Sequence, residues 1–171
     1  MIRNLVISIL ICGLTLLFGI VAPTFAAQRI GAGVHYWTAV KDVDINNVEE
    51  SGLSLVASYQ NQMTGFSAVE LDLEMFGEGY AGADAVVFSP QAYFLLGKGL
   101  YGGAGAGINY SEGSYSDPFF ALRAGVDLEV LPSIHLDINA NYRFETWDFD
   151  RVEEAVKTGN VTLGAIVRFG F

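Results

Sequence analysis

The stretch Val161-Thr162-Leu163-Gly164-Ala165-Ile166-Val167-Arg168-Phe169-Gly170-Phe171 carries apolar side chains at its odd positions, while Thr162 and Arg168 fall on the other face. Successive side chains of a strand point to opposite faces, so this alternation predicts a ribbon greasy on one side and polar on the other. The same period of two recurs upstream. Val69, Leu71, Leu73 and Met75 alternate with Glu70, Asp72 and Glu74, and Phe120, Leu122, Ala124, Val126, Leu128 and Val130 alternate with Arg123, Asp127 and Glu129. Ile134, Leu136, Ile138, Ala140, Tyr142 and Phe144 alternate with His135, Asp137, Asn139, Asn141, Arg143 and Glu145. A face bearing Glu70, Asp72 and Glu74 has no place in a soluble core unless it is paired.

Read for this period, the chain divides into segments at 28–40, 52–61, 66–76, 85–96, 99–110, 118–131, 133–145 and 160–171, each about as long as a tilted membrane strand. The connections alternate as well. Short turns lie at Gln62-Met63-Thr64-Gly65, Gly97-Lys98-Gly99 and Pro132-Ser133; longer, more polar links run from Lys41 to Ser51, Gly77 to Asp84, Ser111 to Asp117 and Thr146 to Gly159. Short turns on one rim and long loops on the other mark an up-and-down membrane barrel. In hydrocarbon every backbone N–H and C=O needs a partner, so strands can span only as a ring without edges. The predicted fold is therefore all-β, an eight-stranded antiparallel up-and-down transmembrane β-barrel over residues 27–171, with both termini on the turn side, the periplasm. Aromatics near strand ends suit two interfacial girdles, with Tyr36, Phe88, Tyr110, Phe120 and Phe144 toward the loops and Tyr59, Phe94, Phe169 and Phe171 toward the turns.

Residues 1–26 read differently. Met1-Ile2-Arg3-Asn4 carries the charge, Leu5 to Ala22 is apolar, and Pro23-Thr24-Phe25-Ala26 offers a small-residue cleavage site, the pattern of a secretory signal peptide. Cys12 follows Ile11 rather than a small residue, which argues against lipidation, and no cysteine remains after Ala26 for a disulfide or thiolate metal site. Mean hydropathy is +0.36 despite a net charge of −10. Nine scattered basic residues do not make a nucleic-acid surface.

A barrel of eight strands is about wide enough for its own side chains, so a water-filled pore is not expected. The inward glycines Gly31, Gly33, Gly103, Gly105 and Gly107 leave room for long chains opposite. The residues expected to fill the lumen as an ion-pair network are Arg123, Arg143 and Arg168 with Glu70, Asp72, Glu74, Asp127, Glu129 and Asp137.

The succession Leu100-Tyr101-Gly102-Gly103-Ala104-Gly105-Ala106-Gly107-Ile108-Asn109-Tyr110, then Ala124-Gly125-Val126-Asp127-Leu128, then Leu136-Asp137-Ile138-Asn139-Ala140-Asn141-Tyr142-Arg143 resembles the small bacterial outer-membrane β-barrel superfamily, which includes the membrane domain of outer-membrane protein A and its short relatives. The final run, with its aromatic carboxy-terminus, resembles the last strand of such barrels. The resemblance implies that Phe169 and Phe171 belong to the signal read by the barrel-assembly machinery. It also implies contact with outer-membrane lipid and lipopolysaccharide, and an envelope-structural or surface-interaction role through the extracellular loops, with a ligand it does not identify. A peptidoglycan-binding domain is not expected after the last strand, so cell-wall tethering is not carried over.

In the loops, Asp42, Asp44, Glu49, Glu50, Glu78, Asp84, Glu112, Asp117, Asp148, Asp150, Glu153 and Glu154 outnumber Lys41, Arg151 and Lys157. Such a rim either attracts divalent cations or a basic partner, or is simply solvated. Two other functions stay open. A lipid A-modifying enzyme would draw on His35 with Ser54 or Ser58, although the His-x-Ser sequence of the deacylase family is missing. A secreted lipocalin-like carrier would turn the apolar faces inward. Glu70, Asp72 and Glu74 share a strand face and could hold a cation, but arginine pairing is the simpler use. The 102–107 stretch lacks the Gly-x-Gly-x-x-Gly spacing of a phosphate loop. No catalytic residue, cofactor or metal site is assigned.

Overall fold

A computed structural model describes residues 27–39, 50–144 and 159–171. The expected signal peptide, Glu145, and the loop residues Lys41, Asp42, Asp44, Glu49, Asp148, Asp150, Arg151, Glu153, Glu154 and Lys157 lie outside the described residues. The strands are β1 (Gln28–Ala39), β2 (Ser51–Gln62), β3 (Ser67–Phe76), β4 (Val87–Lys98), β5 (Leu100–Gly107), the two-residue β6 (Tyr110–Ser111) and β7 (Ser114–Tyr115), β8 (Phe119–Leu131), β9 (Ile134–Phe144) and β10 (Asn160–Gly170). Eight of them are long, and each pairs antiparallel with its neighbour in sequence among the long strands. β10 closes the ring on β1, from Arg29 opposite Gly170 to Ala39 opposite Asn160. The result is a closed eight-stranded antiparallel barrel without a free long edge. Among the described residues no helix is long and apolar enough to cross a membrane.

The fifth strand is shorter than its alternation suggests. It stops at Gly107, and the chain then folds a small ladder in which Tyr110 pairs with Tyr115 and also meets Phe88 of β4. Glu112 and Gly113 take positive φ at the tip of that ladder, which ends the extended run.

The two faces are chemically distinct. Leu163, Val167 and Phe169 stand on the outer wall at 57, 56 and 55 % exposure, while Thr162, Ile166 and Arg168 of the same strand are fully buried. Ile166 is an apolar residue on the inner face, where alternation alone predicts polar groups. Phe144 keeps its expected place at the loop rim, opposite the outward Phe120, but is covered there. It is 7 % exposed, packed beside Phe120 and Tyr142 with ring centres 6.1 and 5.6 Å away.

Glycines make the interior possible. A Cβ built on Gly105 or Gly107 would come within 2.5 Å of the ring of Tyr93 or Phe119, and one on Gly31 within 2.7 Å of the Arg168 chain. On Gly125 it would strike the Tyr101 hydroxyl at 2.6 Å. These inward positions are spaces already occupied by a neighbour's side chain. Gly102, on the outer wall of the same β5, has only a backbone oxygen at 3.8 Å. Gly105→Ala should therefore cost about 1–3 kcal/mol through overpacking, whereas Gly102→Ala should change stability by less than about 0.5 kcal/mol. Urea unfolding of the two variants in lipid vesicles measures the difference.

Candidate functional site

The inner faces of the strands converge on a lumen filled by charge. Glu70, Glu74, Asp137 and Arg168 are fully buried, and Asp72, Arg123 and Arg143 are nearly so. Alternation on β3, β8, β9 and β10 aims them at one another, and the ring supplies the register. Arg123 donates Nη1 to Glu70 Oε1 at 2.6 Å and Nη2 to Asp72 Oδ2 at 2.7 Å, and its Nε donates to Asn141 Oδ1. Its guanidinium also lies 3.8 Å from the centre of the Tyr93 ring. Arg168 Nη2 reaches the same Glu70 oxygen at 2.6 Å, while its Nη1 stands 2.9 Å from Asp137 Oδ2. Gln60 donates to the other oxygen of Glu70 at 2.7 Å. Glu70 is thus the hub, tying β3 to β8 and β10 across the barrel.

A second cluster sits nearer the loops. Arg143 Nη2 donates to Glu74 Oε2, and Gln91 Nε2 donates to the same oxygen at 3.1 Å. Ser54 Oγ donates to Glu74 Oε1, which also lies 3.1 Å from His35 Nδ1. Asn139, Asn141 and Thr162 extend the polar column between the walls: Asn139 donates to Asp137 at 2.6 Å, and Asn141 donates to Asn139 and Thr162 at 2.9 Å each.

Two sequence-predicted members stand elsewhere. Asp127 lies near the turn rim, 13 % exposed at its side chain, where it pairs with Arg29 and His135 rather than with the three deeper arginines. Arg29 has no signal as a partner in the sequence, because β1 shows no clear alternation of charge. Glu129 is exposed and stands outside the network. It sits beside the register shift between Glu129 and Leu131, where β8 runs past the enclosed part of the barrel. Arg29, Asp127, Glu129 and His135 line a cavity of about 480 Å³ at the turn end.

At the loop end the column stops beneath rings. Trp37, Phe76, Tyr80 and Val87 form a buried cluster, and the Arg143 guanidinium lies 5.1 Å from the Phe76 ring centre and 5.4 Å from that of Phe119. Trp37 and Phe76 follow from alternation, being two residues beyond His35 and Glu74. Tyr80 comes from a loop, where no periodic signal exists.

The serine-histidine arrangement can be read directly. The Ser54 hydroxyl gives its proton to Glu74, not to the imidazole, and its other contact is to the His35 carbonyl at 3.5 Å. A histidine can activate a serine only by accepting that proton. Ser54, His35 and Glu74 are at most 2 % exposed, under the aromatic cluster. Among the described residues no group of three or more His, Cys, Asp or Glu could hold a metal ion. The Glu70, Asp72 and Glu74 carboxylates are directed at arginines instead.

Buried pairs lose solvation, so their presence adds little net stability, but removing one partner strands the other at a cost of about 3–5 kcal/mol. Arg143→Met should cost about that much, and Arg143→Met combined with Glu74→Gln should recover most of it. Urea titration of both variants in vesicles checks the asymmetry; equal or additive losses would contradict the pairing.

No family model matches the sequence, and no curated protein matches it. Solved structures do match. Neisserial surface protein A of Neisseria aligns over 86 % of this chain and 98 % of its own, with a TM-score of 0.57 at 17 % identity. A de novo designed transmembrane β-barrel aligns over 85 % of this chain and 95 % of its own, with a TM-score of 0.50 at 12 % identity. At such identities the likeness is one of fold. The chain has the fold of the small bacterial outer-membrane β-barrels, a single ring of eight antiparallel strands around a filled lumen.

Proposed function

We propose that this chain is a non-enzymatic integral protein of the bacterial outer membrane, with an envelope-structural or surface-interaction role carried by its loops. The observation that carries the reading is the polarity of the wall. Apolar chains such as Leu55, Leu73, Leu122, Ile138 and Leu163 face outward and exposed, while carboxylates and guanidiniums are enclosed. Only a hydrocarbon solvent favours that arrangement, since each apolar Å² left in water forgoes about 25 cal/mol. A lipocalin-like carrier would place the two faces the other way round.

In this reading the short turns and both termini lie in the periplasm and the long loops outside. Outer-membrane lipid and lipopolysaccharide surround the wall, and the barrel-assembly machinery reads Phe169 and Phe171. Both rings are exposed on or beside the closing strand, at 55 and 67 %, where a receptor can reach them. The loops present Glu50, Glu78, Asp84, Glu112 and Asp117, all exposed; among the described residues of the long loops there is no Lys or Arg. That field favours a cationic surface ligand. The absence of catalysis is supported by the commitment of the Ser54 proton to Glu74 and by the burial of both side chains.

Two outcomes test this. Phe171→Ser should lower the outer-membrane level of the protein several-fold, read by fractionation and heat-dependent gel migration; undiminished levels would count against the assembly role. Mass spectra of lipid A should be identical with and without the protein. A mass difference abolished by His35→Ala would replace the proposed role with an enzymatic one.

A further inference from the structure

Among the described residues, Tyr80 is the one ring of the loop-end cluster that no barrel strand supplies. It rides on a single 3-10 turn, Tyr80–Gly82, which follows Gly79 at φ 88° and ends on Gly82 at φ 76°, conformations that favour glycine. Its loop neighbours Gly77, Glu78, Gly82 and Asp84 are exposed, whereas Tyr80 is 4 % exposed. The ring stacks on Phe76 with centres 3.8 Å apart and an interplanar angle of 16°, and meets Trp37 edge-on at 4.8 Å. Its hydroxyl oxygen accepts a hydrogen bond from Asn160 Nδ2 at 2.7 Å.

The receptor half of this arrangement is built on the barrel. Trp37, Phe76, Val87 and Asn160 belong to β1, β3, β4 and β10. Gly52 of β2 makes the space for the indole, since a Cβ there would come within 3.0 Å of Trp37 Nε1. Below, the Arg143 and Glu74 pair closes the floor. One stacking face, one edge and one amide donor placed at the hydroxyl specify a phenol rather than any apolar ring. A strand-built cradle filled by a side chain on a glycine-flanked loop has the form of a site whose resting occupant is its own chain.

We propose that the Trp37–Phe76–Asn160 cradle is a binding site for a phenolic ring, held at rest by Tyr80 and taken over by an external phenol that displaces it. The site binds; the closed column beneath it allows no passage. The hydroxyl matters, because a ring without one leaves the Asn160 amide unpaired, a loss of about tenfold in affinity.

The test uses the full chain in lipid vesicles. With 3-fluorotyrosine at position 80, fluorine NMR reads the ring directly, and in a Trp147→Phe background Trp37 is the remaining tryptophan and reports the cradle by fluorescence. Titration with p-cresol should move the Tyr80 signal to its solvent position, toluene should need about tenfold more, and Tyr80→Ala should bind p-cresol at least about tenfold more tightly than the wild-type chain because no occupant competes. Asn160→Ala should abolish the preference for p-cresol over toluene. N-acetyltyrosine amide tests the source: displacement identifies a tyrosyl side chain as ligand, and displacement by p-cresol alone identifies a free small phenol. A Tyr80 signal unmoved by either compound at saturation overturns the proposal, whether or not Tyr80→Ala folds. Equal action of toluene and p-cresol overturns it as well.

Discussion

Hydrocarbon offers no partner to a backbone N–H or C=O, and in the proposed membrane setting this one constraint shapes the rest of the molecule. It requires β10 to close on β1, and closure at eight strands leaves an interior that side chains must fill. A charge on an inner face in the middle of the barrel then has no water to retreat to, so it needs a counter-charge from another strand. Glu70, Asp72, Glu74 and Asp137 meet Arg123, Arg143 and Arg168 for that reason. The arginine fork suits such bridging, because Arg123 spends its donors on three acceptors at once and Arg168 joins β10 to both β3 and β9. These struts cross the lumen, so they fix opposite walls as well as neutralising each other.

The two ends of the polar column are finished differently. At the turns, Arg29, Asp127 and His135 stay partly exposed around a cavity, so solvent screens them and their pairing is weak support for the fold. At the loops, Trp37, Phe76, Tyr80 and Val87 cover the Glu74 cluster with apolar surface. The barrel is thus a closed cup that faces the turn rim. Its middle layers of paired charge occupy the space a channel would need.

Much of this is legible in the sequence, because the period of a strand is two and the outer face of the ring is apolar. Strict alternation from Val69 to Met75 and from Ile134 to Phe144 identifies the inward acids and Arg143, and the spacing of short turns identifies the rims. What cannot be read has physical causes. Glu129 keeps the inward parity of β8, but a register shift at the rim releases it to solvent, and a bulge has no periodic signature. Arg29 and the glutamines Gln60 and Gln91 sit on strands whose inner faces carry little other charge. Tyr80 lies outside any strand, and its burial depends on a loop folding back into the mouth, which is a tertiary event. Ile166 is hidden in the opposite way, by being apolar on a face where burial rather than polarity decides.

The proposed reading puts lipid against the apolar wall and encloses the charged one, and nitroxide labels on single cysteines test this most directly, at Leu163 and Ile138 on the outer face and at Ser58 and Thr162 on the inner one. Collision rates in vesicles should favour oxygen over a water-soluble nickel complex at Leu163 and Ile138, with neither reagent reaching Ser58 or Thr162 freely. Collisions with the nickel complex that outpace those with oxygen at Leu163 and Ile138 would put that wall in water and contradict the account.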